Sequence, residues 1–181
     1  DRLAVRTFVG PWDSVVLREA IIRERFRGGQ IFVVCPRIVD LTRLYDRVTA
    51  LVPDARILTA HGKMSAVDLD DVMNRFGDGE ADILLSTNIV ESGIDIPTAN
   101  TMIIHRADMF GLSQLYQLRG RVGRSKVRAY AYLTTQPGMV LTPQAKRRLE
   151  VMQTLDKLGA GFSLASYDMD IRGAGNLLGD E

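Results

Sequence analysis

The chain has 181 residues and a net charge of +1, so its bulk charge points to neither a polyanionic nor a membrane-surface partner. Apolar residues make up 46% and charged residues 25%, the balance of a globular domain able to bury a core, and no apolar run approaches the roughly 20 residues of a membrane span. One cysteine, Cys35, excludes an internal disulfide and fits a reducing compartment; His61 and His105 lack metal-ligand spacing, so no metal site is expected.

Residues 1–12 are assigned to the end of a preceding linker. Asp13 is an N-cap candidate for a helix that Gly28-Gly29 would stop. "QIFVVC" (30–35) reads as a strand, and Leu41, Leu44, Tyr45 and Val48 then follow helical spacing. "ARILTA" (55–60) is the next strand; Ser65, with Asp68 three positions on, opens a helix carrying Leu69, Val72, Met73 and Phe76. "ADILLS" (81–86) and "TMIIH" (101–105) follow as strands, then a helix with Leu112, Leu115 and Leu118 that Gly120 should end, then "RAYAYLT" (128–134). The first four runs are apolar nearly throughout, as expected of strands covered on both faces. Such alternation predicts an α/β domain with a mostly parallel sheet and right-handed connections over residues 13–136. After the turn-rich "QPGMVLTP", Thr142-Pro143 caps a helix with Ala145, Leu149, Met152 and Leu155; a short helix over Phe162 to Tyr167 and a glycine-rich loop complete a hairpin unit at 137–181.

Ligands of open α/β sheets gather at the carboxyl ends of strands, so the loops there carry the candidates. "TNIVESGIDIPTA" (87–99) collects Thr87, Asn88, Glu91, Ser92 and Asp95 around Gly93; taken alone it is as readily an ordinary Asx turn. "HGKM" offers His61, Gly62 and Lys63 just before a helix N-terminus, a phosphate seat or a routine turn. "QLRGRVGR" (117–124) sets Arg121 and Arg124 three positions apart, able to bracket a phosphate chain, although a solvated basic turn would look the same. No G-x-x-x-x-G-K-[ST] phosphate loop occurs: Gly62-Lys63 is followed by Met64.

Taken together, these stretches resemble superfamily 2 helicases and translocases. "STNIVESGIDIP" looks like their motif V, "QLRGRVGR" matches motif VI (Q-x-x-G-R-x-G-R), and "QIFVVCPR" resembles motif IV. These mark the second of two RecA-like lobes, a three-layer P-loop NTPase fold. The tail "IRGAGNLLG" resembles the TRG motif of double-stranded DNA translocases, here truncated, and "LGAGFSLASYDMDIRGAGNLLGDE" is more similar to the transcription-repair coupling (Mfd) family than to RecG.

The resemblance implies that Arg121 and Arg124 reach the γ-phosphate of ATP, held with Mg2+ mainly by the first RecA-like lobe of a longer chain. Gln117 would position them, and Gly93 and Asp95 would sit near the ribose. Thr87, His61, Gly62 and Lys63 would touch double-stranded DNA, while Glu91 and Arg172 would couple the two sites. Arg119 falls outside the motif's fixed positions. RNA polymerase and excision-repair proteins are implied as partners of other domains, in a bacterial cytoplasm. A RecG-type fork-reversal helicase is the near alternative; a stand-alone nucleotide-binding module or a catalytically dead regulatory domain is the distant one.

Overall fold

The computed structural model describes residues 5–88, 99–123 and 126–158, with side chains to residue 155. Its elements, in chain order, are β1 (Arg6–Pro11), α1 (Ser14–Phe26), β2 (Gln30–Cys35), α2 (Leu41–Leu51), β3 (Ile57–Ala60), α3 (Ala66–Gly77), β4 (Ile83–Thr87), β5 (Ala99–Ile104), α4 (Leu112–Arg119), β6 (Tyr130–Thr135) and α5 (Pro143–Leu158). The strands form a six-stranded sheet in the order β1-β6-β5-β2-β4-β3. Every ladder is parallel.

Sequence dictates this arrangement at two levels. Locally, the Asp13 carboxylate accepts from Val15 N (3.0 Å) and Val16 N (3.2 Å), Ser65 Oγ accepts from Asp68 N (3.1 Å), and Thr142 Oγ1 accepts from Ala145 N (3.1 Å), so each predicted helix start satisfies its own open amides. At the level of packing, β2, β4 and β5 are buried along their whole length, because helices cover both faces of the central strands. Leu17, Ala20 and Ile21 of α1 and Leu44, Val48 and Leu51 of α2 close one face; Val72 and Phe76 of α3, Leu112, Leu115 and Leu118 of α4, and Leu149 and Met152 of α5 close the other. Three layers result, as expected.

Two expectations change. Residues 6–11 were assigned to a linker, yet they form the edge strand β1, pairing in parallel with β6 from Arg6–Tyr130 to Pro11–Thr135. The segment "RTFVGP" buries only Thr7 fully, so it lacks the apolar run that betrays a central strand, and Pro11 is tolerated because an edge leaves one side unpaired. β3 was expected to be covered on both faces; it is the opposite edge, and only Ala60 is buried.

α4 decides where the arginine-rich segment ends up. It starts beyond the carboxyl end of β5 and crosses back to the amino end of β1, where Arg119 Nε donates to Thr7 Oγ1 (3.0 Å) and its NH2 to the Val5 carbonyl (3.2 Å). Gly123, at φ +76°, is pressed against the same corner: a Cβ there would meet Ala129 Cβ and Val5 Cγ2 at 3.0 Å each. The expected helical hairpin partner at 162–167 and the tail loop lie outside the described residues.

Candidate functional site

At the carboxyl edge of β3 and β4, four of the predicted residues form one unit. Thr87, the buried last residue of β4, accepts the Gly62 N–H on Oγ1 at 3.1 Å. The turn is tightened from within: Lys63 N donates to His61 Nδ1 (3.2 Å) and Met64 N to the His61 carbonyl (3.2 Å). The exposed Lys63 thus stands on a fixed backbone two residues before Ser65, the cap of α3, where the helix dipole favours negative charge. That combination suits a phosphate.

Gln117 and Arg121 are elsewhere. Gln117 is exposed on α4, and Arg121, half-buried, follows the α4 cap residue Gly120 with its amide bonded to the Leu118 carbonyl (2.9 Å). The end of α4 lies against the amino end of β1, so Gln117 and Arg121 stand at the opposite edge of the sheet from His61 and Thr87. The expectation that all candidates collect at carboxyl ends therefore holds for the Thr87 unit and not for the arginine segment, because α4 runs antiparallel to the strand it follows. Arg119 does structural work, holding β1. Gly93, Asp95, Glu91, Arg124 and Arg172 lie outside the described residues.

Sequence reading missed a basic pocket of about 570 Å3 lined by Arg37, Val39, Asp40, Arg43, Arg47, His105, Arg106, Gln136 and Pro137. Arg106 occupies the left-handed region (φ 53°) directly after β5, and its guanidinium grips Asp108 at 3.0 and 2.9 Å. The only sequence signal was a pair of arginines at i, i+4 on α2. A larger pocket, about 740 Å3, opens near the amino ends of β2 and β4, but its Arg25, Arg56, Asp54 and Asp82 already pair among themselves at 3.2–3.7 Å, which leaves little to recruit a ligand.

His105 sits against Trp12, edge to face at 5.9 Å, and its pKa is pushed down to about 4 by burial and then by the Arg47 charge. The folded protein therefore keeps this ring neutral while the unfolded chain protonates near pH 6.5. Stability from this group is complete above pH 6.5 and is lost as pH falls toward 4. Urea unfolding across that window should show the decline, and His105→Asn should flatten it. Asp40 and Asp82, whose carboxyls are held low by arginine partners, lose their contribution only at lower pH.

Comparison with known proteins places these features in a family. The helicase conserved C-terminal domain matches residues 14–126. The chain is 55% identical to the transcription-repair-coupling factor of Rickettsia bellii over 181 residues and 53% identical to that of Escherichia coli over 180, but spans 16% of the length of each. Among solved structures it is similar to RecG bound to a three-way DNA junction, with a TM-score of 0.71 and 34% identity over 94% of this chain and 26% of that one. The C-terminal domain of the DEAD-box protein Dbp5 shares the fold, with a TM-score of 0.59 at 17% identity over 84% of this chain and 85% of that one. With its parallel sheet flanked by helices, the chain has the RecA-like fold of a second helicase lobe. It belongs to the helicase conserved C-terminal domain family.

Proposed function

We propose that this chain is the second motor lobe of an ATP-dependent double-stranded DNA translocase of the transcription-repair coupling type, acting in the bacterial cytoplasm. Identity to coupling factors above 50% over the whole chain, against 34% to RecG, favours that type over a fork-reversal helicase. The observation that carries the mechanism is the separation of two phosphate-suited groups: Arg121 at the outer end of α4 and the Gly62–Thr87 unit at the far edge of the sheet.

In this reading, Arg121 and Arg124 face the γ-phosphate of ATP that a first RecA-like lobe holds with Mg2+. The donor set fits phosphate oxygens: a guanidinium keeps its charge at any working pH and presents a planar fork. Bound ATP supplies the reactive phosphoryl group. Gln117, one turn before Arg121, orients the guanidinium, and Gly93 and Asp95 line the nucleotide cleft. Thr87, His61, Gly62 and Lys63 hold the DNA backbone, which carries no base information and so lets the lobe move over any sequence. Glu91 and Arg172 couple the two. RNA polymerase and excision-repair proteins are engaged by other parts of the longer protein.

The test is displacement of a triplex-forming oligonucleotide from duplex DNA by that longer protein. ATP-dependent displacement is expected, and Arg172→Ala should abolish it while sparing ATP hydrolysis. A wild-type protein that hydrolyses ATP on DNA yet never displaces the third strand would overturn the translocase reading.

A further inference from the structure

The basic pocket occupies a particular place in the topology. β2 and β5 are neighbours, but α2 carries the chain from β2 along one face toward β4 and β3, whereas α4 carries it from β5 along the other face toward β6 and β1. Connections diverging in this way open a crevice beyond the carboxyl ends of the two strands, where α/β sheets bind ligands. Arg37 follows β2 and His105 and Arg106 follow β5, so the pocket is that crevice.

Its charges are unequally satisfied. Arg37 pairs with Asp40 at 2.9 Å and Arg106 with Asp108 at 2.9 Å. Arg43 and Arg47, one turn apart on α2, belong to no ion pair among the described residues; Arg47 stacks over the Trp12 ring at 4.1 Å. The two guanidiniums repel each other: the pKa of Arg47 is lowered by burial and then by Arg43. From the sheet side His105 adds a neutral ring, and from the turn after β6 come Gln136 and Pro137, which add no charge. An anion placed between Arg43, Arg47 and Arg106 would relieve that repulsion.

We propose that this pocket seats a backbone phosphate of duplex DNA, a contact separate from the His61–Lys63 turn and resting on the nucleic-acid reading above. A phosphodiester is the occupant the surroundings favour, because the pocket shares the carboxyl edge with the Gly62–Thr87 unit. β5 and β3 are three interstrand steps apart, ~14 Å at about 4.8 Å per step. That is roughly four base-pair rises of 3.4 Å along a duplex axis, so one duplex reaches both places.

The experiment is a nuclear magnetic resonance titration of the 181-residue chain at low salt, reading arginine Nε–H and backbone amide signals. One arm adds a 20-base-pair duplex and the other inorganic phosphate. Duplex should shift the Arg43 and Arg47 signals together with those of Lys63 and Thr87. Arg43→Gln, at an exposed position that leaves the fold intact, should weaken duplex binding roughly three- to tenfold and lower the salt slope by about 0.9, the value of one phosphate contact. Shifts confined to Lys63 and Thr87 would overturn the pocket and leave the translocase reading standing. Saturation by inorganic phosphate with no further response to duplex would make it a free-anion site and overturn the proposal. Silence at Arg43, Arg47, Lys63 and Thr87 alike would sink both.

Discussion

Arg121→Ala, in the longer ATPase that we propose contains this lobe, is expected to lower DNA-stimulated ATP hydrolysis by about 10³-fold or more while ATP affinity changes little. Charge on a transferring phosphoryl group spreads over its equatorial oxygens, and a guanidinium placed there binds the transition state more strongly than the ground state. A 10³-fold loss corresponds to about 4 kcal/mol, the scale of one well-aimed charged donor in a water-poor cleft. Arg121→Lys should not restore the rate, since an ammonium cannot reproduce a planar fork.

Arg119→Ala is the internal control. Arg119 lies two residues from Arg121 but spends its donors on Thr7 and the Val5 carbonyl. Its loss should loosen β1 and lower stability, with turnover at saturating ATP unchanged. Retention of more than a tenth of wild-type kcat by Arg121→Ala would sink the assignment; Arg124→Ala is expected to behave as Arg121→Ala does.

What was legible in the sequence follows from which interactions are local. Asp13, Ser65 and Thr142 announce helix starts because a cap needs only the next few amides. β2, β4 and β5 announce themselves because a strand covered on both faces must be apolar throughout. β1 stayed hidden because an edge strand exposes one side and one face, leaving "RTFVGP" without a run to detect. The Thr87–Gly62 bond is long-range, yet both residues fell among the candidates because Thr87 ends β4 and Gly62 lies in the turn just after β3.

The arginine pocket was hidden for a different reason: Arg37 to Arg47 and His105–Arg106 meet only because β2 and β5 are neighbours although β3 and β4 lie between them in the chain. The position of Arg121 depended on the direction of α4 rather than on its own motif. Sequence reading thus singled out Arg121 as a candidate but not the end of the sheet at which it stands.

Glu24 shows the same limit for stability and leads to the largest expected structural effect. It completes the stripe Leu17, Ala20, Ile21, Glu24 on α1, at the i+7 position where an apolar residue belongs, and it is 1% exposed. Arg27 donates to it twice, at 2.8 and 2.9 Å, and Thr101 of β5 donates a third bond to Oε1. Arg27 also donates to the Arg128 carbonyl and stands 5.4 Å from the Tyr130 ring centre, so one carboxylate ties α1 to β5 and to the chain leading into β6. Gly29 leaves room for it: a Cβ there would fall 2.1 Å from Glu24 Oε2.

Glu24→Ala removes one partner and strands the Arg27 charge and the Thr101 hydroxyl near a dry interior, a change that costs about 3 kcal/mol, at the low end for a broken buried pair because Arg27 still reaches solvent. In a domain of this size that lowers Tm by about 6–12 °C. Glu24→Leu with Arg27→Met, which deletes both charges, should recover most of the loss, since desolvating an ion pair offsets much of its attraction. Gly29→Ala should act through the same side chain, whose Oε2, Cδ and Cγ are the three nearest atoms to a new Cβ, and be nearly silent in the Glu24→Ala background. Thermal unfolding of the four proteins closes the cycle. A Glu24→Ala protein within about 1 kcal/mol of wild type would mean that the carboxylate does not anchor α1 to the sheet.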